Sequence, residues 1–349
     1  MAKNRIGHIL VIRLSAMGDV AMTVPVLLAL TDKYPDVKIT FLTKPFFAPI
    51  ISKIPNVSVF TADVKGAHKG PLGLWKLFKQ LREMDVDAVA DLHNVLRSNI
   101  LKIFFGLYGI PVEQMDKGRK EKRKLISGKI KELHSLTPMY LRYRSVFERH
   151  GFEFSVHKAH VLGKHRITTD FGTSFIPKGK KLIGIAPFAA FSGKIYPLAL
   201  METLISELAA LKDVKILLFG GGQKERTVLE DWDQKFAGCT SIAGKLPFKA
   251  ELALISNLEV MISMDSGNGH LAAMYGVPVI TLWGVTHPAA GFAPFGQSVE
   301  NQIVSNRDEF PLIPTSVYGN KFPPGYDQVM KTISPEQIVK RVRQILIID

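Results

Sequence analysis

Residues 260–288, VMISMDSGNGHLAAMYGVPVITLWGVTHP, decide the fold. VMISM and VPVITLW are apolar runs of strand length, and the segment between them has the composition of a glycine-rich turn leading into a short helix. Strand, turn, helix and strand in that order make the βαβ unit of a parallel sheet. Asp265, Ser266, Gly267, Asn268, Gly269 and His270 follow the first strand; Gly284, Thr286 and His287 follow the second. Both turns therefore open at the carboxyl edge of the sheet, where open α/β sheets bind ligands. Glycines admit a ligand close to the main chain, and N–H groups at a helix start attract anions, so the two turns predict a grip for a phosphorylated ligand.

Working outward, the same unit recurs on the N-terminal side. Ile9 to Arg13 reads as a buried strand, Leu14 to Asp19 as a turn, and Val20 to about Tyr34 as a helix. Strands follow at Lys38–Leu42, Val57–Phe60 and Asp87–Ala90, with a helix over Leu74–Met84 and another inside 134–151, ending at Gly151. After a weakly patterned stretch at roughly 153–180, the pattern restarts: strand Lys181–Ala186, helix Pro197–Leu211, strand Val214–Phe219, turn Gly220-Gly221-Gly222, helix Gln223–Phe236, strand Ser241–Ala243 and helix Phe248–Asn257. Strands alternating with helices imply parallel sheets joined by right-handed crossovers. The expectation is an α/β fold of two Rossmann-like domains facing a cleft, over 1–165 and 166–333. A final helix within 334–349, from Ser334 to about Ile347, is expected to cap either one.

Length agrees, since 349 residues exceed the roughly 250–300 at which one core stops growing. Hydrophobic residues at 46% against 22% charged exclude wholesale disorder. The single Cys239 excludes an internal disulfide and fits a reducing compartment. ILVIRL is too short for a signal-peptide core, and no apolar run approaches the ~20 residues of a membrane span. A soluble, cytoplasmic protein is expected.

The net charge of +14 is uneven along the chain. Residues 1–174 hold 28 Lys+Arg and 15 Asp+Glu, whereas 175–349 hold 17 and 16. Lys117, Arg119, Lys120, Lys122, Arg123, Lys124, Lys129 and Lys131 form the densest run. Such a run is a solvated loop or a surface for a polyanion or an anionic membrane. Nucleic acid is not expected: no recognised binding motif is present, and no aromatics interleave the run for base stacking.

Several strand-end residues are candidates for chemistry. Ser15, Gly18 and Asp19 follow the first strand. Asp19 suits a helix cap, and a helix N-terminus also keeps a carboxylate ionised, as a weak base requires. Asp91, His93, Asn94 and Arg97 follow another strand of the same domain, where cap and turn roles compete with acceptor binding. Ser192 and Lys194 follow the first strand of the second half, where a lysine suits a phosphate. Gly220 and Gly221 expose backbone before a helix, and Glu225 one turn later suits either ribose hydroxyls or the helix dipole.

Other chemistries fit poorly. Gly267, Gly269 and Ala272 satisfy G-x-G-x-x-G/A, but no acid to hold an adenosine ribose occurs from Ser266 to Val299. Asp85-Val86-Asp87 matches the D-x-D of metal-dependent sugar transferases but lies where a strand begins, and reads as a turn. No metal-ligand spacing and no Walker loop occur.

ILVIRLSAMGDVAMTVPVLLAL, VADLHNVLRS, GKIYP and ISMDSGNGHLAAMYGVPVITLWGVTHP together resemble glycosyltransferase family 9, typified by the ADP-heptose lipopolysaccharide heptosyltransferases. With the element order they cover most of residues 6–297. The resemblance implies a GT-B architecture and transfer of a sugar from a nucleotide donor, ADP-linked, with inversion and with neither cofactor nor catalytic metal. It implies an anionic, lipid-linked saccharide acceptor and a place at the inner face of the plasma membrane.

By the same resemblance, Asp19 looks like the general base and Lys194 like the phosphate-contacting lysine. Asp265, Ser266, Gly267 and His270 match the donor motif D-[ST]-G-x-x-H, with Asn268 and Gly269 inside it. Thr286 belongs to the diphosphate turn and Glu225 is similar to the ribose-holding glutamate; the charge of the basic run, not the resemblance, puts Lys120 and Arg123 on the acceptor side. His287 departs from the family, many members of which have Asp there. The proline-rich segment Phe310–Tyr326 and the basic run are not part of its motifs. A nucleotide-sugar epimerase of the same architecture and a non-catalytic polyanion binder are the rival readings.

Overall fold

The computed structural model describes residues 6–128, 132–167 and 175–348; Lys129, Lys131 and part of the expected linker lie outside them. The chain divides into two units, Met1–Gly118 with Met139–Leu162, and Arg119–Pro138 with Gly163–Asp349.

In the first unit, β1 (His8–Ile12), β2 (Lys38–Thr43), β3 (Val57–Thr61), β4 (Ala88–Asp91) and β5 (Val112–Gln114) form a parallel sheet in the order β3-β2-β1-β4-β5. Ile9 to Ile12 of the central β1 are wholly buried, which is why the strand reads as an unbroken apolar run. The chain leaves β1 toward β2 but later places β4 on its other side. The loops after β1 and β4 therefore diverge and open a crevice at their carboxyl ends.

The helix expected over Val20–Tyr34 is two, α1 (Met17–Ala21) and α2 (Val24–Lys33). Pro25, in the first turn of α2, has no N–H to donate, and its ring would meet the Ala21 carbonyl in a continuous helix. Helices α3 (Ala48–Ile51), α4 (Gly70–Arg82) and α5 (Leu96–Leu107) follow. The pair α4 and α5 packs through aromatic rings, Phe78 against Phe105 at 5.0 Å edge-on and Trp75 against Phe104 at 5.0 Å.

The second unit opens with α6 (Arg119–Leu125), after which the chain returns to the first unit for α7 (Met139–Arg149). Its sheet comprises β6 (Lys181–Ala186), β7 (Val214–Leu218), β8 (Cys239–Ser241), β9 (Val260–Met264), β10 (Val279–Trp283) and β11 (Gln302–Val304), ordered β11-β10-β9-β6-β7-β8 and parallel throughout. Here the order reverses between β6 and β9. Helices α8 (Leu198–Ala209), α9 (Gln223–Lys235), α10 (Phe248–Ile255) and α11 (Gly267–Ala273) connect the strands.

The closing helix α12 (Pro335–Leu346) packs on α8 and against β9 and β10, so it belongs to this unit. Its buried Ile338, Val342 and Leu346 recur every fourth residue, and Ser334 Oγ caps it by accepting the Gln337 N–H at 3.3 Å.

The charge distribution differs from its reading along the sequence. The basic run from Arg119 onward groups with the second unit rather than the first. The first unit then holds 19 Lys+Arg and 12 Asp+Glu and the second 26 and 19, a net of +7 in each. Among the described residues, no helix is long and apolar enough to cross a membrane.

Candidate active site

Arg13, a cation buried to 5% exposure, directly follows the carboxyl end of β1. Its guanidinium forms an ion pair with Asp19, donates to the Leu92 carbonyl at 2.5 Å and lies 5.7 Å from the centre of the Tyr143 ring. Asp19, in the first turn of α1, also accepts the Ala16 N–H at 3.1 Å and the Tyr143 hydroxyl at 3.4 Å. The carboxylate thus does close off the start of its helix, yet its side chain keeps 24% exposure. One face stays open to solvent while the donors Arg13, Tyr143 and the Ala16 N–H hold the other. Burial, reinforced by the Asp19 charge, pushes the Tyr143 hydroxyl above its ordinary value, so it stays a proton donor to Asp19.

The neighbouring loop, after β4, is built around Asp91. Its fully buried carboxylate accepts from the His93 N–H at 2.8 Å, the Asn94 N–H at 3.0 Å and the Gln114 amide at 2.7 Å. Asn94, at φ +47°, donates from its amide to the Met115 carbonyl at 2.8 Å. These polar atoms shape the turn from within. Arg97 stands exposed on the first turn of α5, and Gly18 is buried in α1. Ser15 Oγ lies 3.4 Å from His93 Nε2. Burial, with Arg13 next in strength, lowers the His93 pKa from 6.5 to about 4, so the ring is neutral at neutral pH.

In the second unit, the loops after β6, β9 and β10 converge. Lys194 closes a single 3-10 turn, Ser192–Lys194, and its Nζ lies 3.0 Å from Asp265 Oδ2. The same oxygen accepts the Thr286 hydroxyl at 3.0 Å. Asp265 therefore orients a lysine and a hydroxyl, both donors suited to phosphate, while itself staying 8% exposed. Gly193 and Gly284 let the loops touch. A Cβ at Gly193 would come within 2.5 Å of Val285 Cγ2 and 2.7 Å of the Gly319 carbonyl oxygen, and one at Gly284 would strike the Gly193 carbonyl oxygen.

The proline-rich segment 310–326 acquires a role here that no motif announced. Thr315 N–H donates to the Val285 carbonyl at 3.0 Å, and Gly319, at φ +81°, lies flat against the Lys194 stem. The segment therefore clamps the lysine in place.

The rest of the glycine-rich turn supports this cluster. Ser266 precedes α11 with its hydroxyl 3.1 Å from that of Ser263. Gly267 and Asn268 are partly exposed at the turn, whereas His270 is buried. At Gly269 a Cβ would sit 3.3 Å from Ser263 Oγ, so glycine keeps α11 close to the sheet. His287 Nδ1 accepts the Ala289 N–H at 3.1 Å, and burial lowers its pKa from 6.5 to about 4. The His287 ring is therefore neutral at neutral pH.

Gly220, Gly221 and Gly222 lead into α9, and Glu225 Oε2 accepts the Gly221 N–H at 2.7 Å. That carboxylate braces its own turn. Lys120 and Arg123 are exposed on α6, whereas Lys122 turns inward with Nζ 4.2 Å from the Phe292 ring centre.

Two parallel α/β units, each with polar loops at a reversal of strand order, have the architecture of the GT-B class. Residues 74–315 match the profile described as Glycosyltransferase family 9 (heptosyltransferase), and the chain belongs to that family. It is 28% identical over 292 residues to the lipopolysaccharide core heptosyltransferase OpsX of Haemophilus influenzae, covering 80% of this chain and 79% of that protein. The structure resembles a family 9 glycosyltransferase from Veillonella parvula, with TM-score 0.73 and 20% identity over 98% of this chain and 97% of the other. It also resembles the ADP-heptose lps heptosyltransferase II of E. coli, with TM-score 0.69 and 18% identity over 97% and 98% of the two chains.

Arg13 and Tyr143 are the contributors that motif reading did not single out. A charged residue ending the apolar run ILVIRL is a signal for the first; nothing local marks Tyr143, 124 positions from the aspartate it touches.

Proposed function

We propose that this protein transfers heptose from ADP-heptose to the inner core of lipopolysaccharide, with inversion, and without a cofactor or catalytic metal. The observation that carries the reading is the Lys194–Asp265–Thr286 cluster, two donors aligned on one buried carboxylate at the carboxyl edge of the second sheet. As the sugar leaves, the nucleoside diphosphate gains negative charge. Lys194, Thr286 and the N–H groups around Ser266–Gly269 suit that charge, and preorganised donors act where charge develops. Gly220 and Gly221 expose backbone for the nucleoside, with Glu225 beside them. The kind of donor and acceptor follows the names of the H. influenzae and E. coli relatives.

Asp19 accepts the proton from the attacking acceptor hydroxyl. In one displacement, the new C–O bond forms on the face of the anomeric carbon opposite the departing diphosphate oxygen, which leaves with the electron pair. A carboxylate is basic enough because the hydroxyl acidifies as its bond to carbon forms. Arg13 and Tyr143 hold the Asp19 carboxylate in place. Ser15, Gly18, Arg97 and the exposed Lys120 and Arg123 serve the anionic acceptor, the last two as cations on α6. His287, neutral, tunes contacts to the sugar. The enzyme works on the cytoplasmic face of the membrane as a peripheral protein.

A panel of nucleotide sugars offered with truncated lipopolysaccharide tests this reading. Transfer from ADP-heptose in preference to other donors is expected; a preference for another nucleotide or sugar overturns the substrate assignment.

A further inference from the structure

Helix α5 carries a feature that glycosyl transfer does not use. Leu96, Ile103 and Leu107 recur at spacings of seven and four residues and so share one face of the helix. That face points to solvent: Leu96 is 75% exposed, Ile103 59% and Leu107 77%. The inward face is already satisfied by Leu101 and Phe105, both fully buried. A soluble helix ordinarily shows one apolar stripe, turned to the core; α5 has a second with nothing packed on it.

The surroundings of the stripe indicate what covers it. Lys76, Lys79 and Arg82 of the adjoining α4 and Arg97 and Lys102 of α5 are all exposed, and neither helix contains Asp or Glu. Exposed Lys65 and Lys69 precede α4; Asp63 before them accepts the Lys65, Gly66 and Ala67 N–H groups, and Glu83 and Asp85 lie just past the end of the helix. Tyr108, 47% exposed, closes the row with the Arg82 guanidinium 4.7 Å over its ring. Exposed aliphatic side chains collared by cations, with an amphipathic aromatic at the end, are the composition of a surface that lies in a lipid interface. A second copy of the chain fits badly, because a two-fold contact would press five cations against the same five. A basic partner is excluded by the same charge.

We propose that the outer face of α5, with the basic flank of α4, seats the protein on the headgroup and acyl boundary of an anionic bilayer. Leu96 begins the stripe two residues after Asn94, so the face starts at the loop bordering the Asp19 crevice. A lipid-linked acceptor then reaches the site along the surface on which the protein already lies. This use of the face rests on the proposed acceptor, whereas its affinity for lipid does not, and the two are measured separately.

The test is sedimentation of the full-length protein with vesicles of phosphatidylcholine alone or mixed with phosphatidylglycerol, beside an Ile103→Glu/Leu107→Glu variant and a Lys120→Glu/Arg123→Glu variant. The parent is expected to bind the mixed vesicles, less so as salt rises, and to stay in solution with phosphatidylcholine. The Ile103→Glu/Leu107→Glu variant should lose binding about tenfold or more, with its melting temperature, its stabilisation by ADP and its turnover of a deacylated acceptor unchanged. Lys120→Glu/Arg123→Glu should retain vesicle binding. The proposal is overturned if the parent does not pellet, if Ile103→Glu/Leu107→Glu pellets like the parent, if only the α6 variant is impaired, or if the parent is a dimer that the α5 variant dissociates. Loss of turnover by the parent on the deacylated acceptor would instead count against glycosyl transfer and leave the vesicle result standing.

Discussion

Lys194 Nζ and Asp265 Oδ2 lie 3.0 Å apart, tying the loop after β6 to the end of β9 where the second sheet reverses its strand order. Both side chains are largely buried, so the pair is shielded from screening and each partner depends on the other. Lys194→Ala should weaken ADP binding by about tenfold or more, the scale of one charge-assisted hydrogen bond. Asp265→Asn should weaken it through loss of the lysine's orientation. The double variant should lose less than the sum of the two, because the second change removes an interaction already gone. Calorimetric titration of ADP into the four proteins reads this directly; additive losses would show that the residues act independently.

Gly193 offers a steric test of the same cluster. Gly193→Ala places a methyl against Val285 and the Gly319 carbonyl, neither of which is the free end of a flexible chain. Overpacking of this kind costs about 1–3 kcal/mol and displaces the loop that carries Lys194. Urea denaturation and ADP titration should both register it. Unchanged values in both would mean that the loops are not in contact.

Arg13 is the corresponding support in the first unit. Arg13→Met leaves Asp19 and the Leu92 carbonyl without their buried donor, and removing one partner of a buried ion pair costs about 3 kcal/mol. Reduced stability in urea and a fall in kcal-scale proportion with the loss of the pair are expected, together with a turnover loss that Arg13→Lys partly restores. A Met variant as stable and active as the parent would remove Arg13 from the account.

Two histidines set a pH dependence of stability. His93 and His287 each have a folded pKa of about 4 against an ordinary 6.5, burial being the main cause in both. Between those values the unfolded chain binds protons that the folded chain refuses. The stability these neutral rings contribute is therefore full above about pH 6.5, is lost as pH falls toward 4, and falls no further below it. His93→Gln/His287→Gln should flatten the slope of unfolding free energy between pH 6.5 and 4; an unaltered slope would mean that these rings titrate normally.

The βαβ repeats, both parallel sheets and the strand-end turns were legible because buried parallel strands are unbroken apolar runs and their turns are marked locally by Gly, Asp and Ser. What the sequence hid was tertiary. Tyr143 reaches Asp19 across 124 positions, and the 310–326 segment has no periodicity because it takes its shape from Lys194 and Val285 beneath it. Helix α5 escaped pattern reading for a physical reason: its exposed Leu96, Ile103 and Leu107 fill the face that ordinarily carries polar residues. The basic run, adjacent in sequence to the first unit, packs with the second because the chain crosses at Gly118 and returns at Met139.

The most direct test of the account is turnover of ADP-heptose with truncated lipopolysaccharide by the parent and by Asp19→Asn, alongside the rise in melting temperature that ADP produces in each. Ligand linkage makes that rise a measure of nucleotide binding independent of chemistry. The parent should release one ADP for each acceptor glycosylated. Asp19→Asn should lose about 10²–10⁴-fold in turnover, the usual contribution of a positioned base, with the ADP-induced rise intact. Parent-like turnover by Asp19→Asn, or epimerised free sugar formed without acceptor, would contradict it.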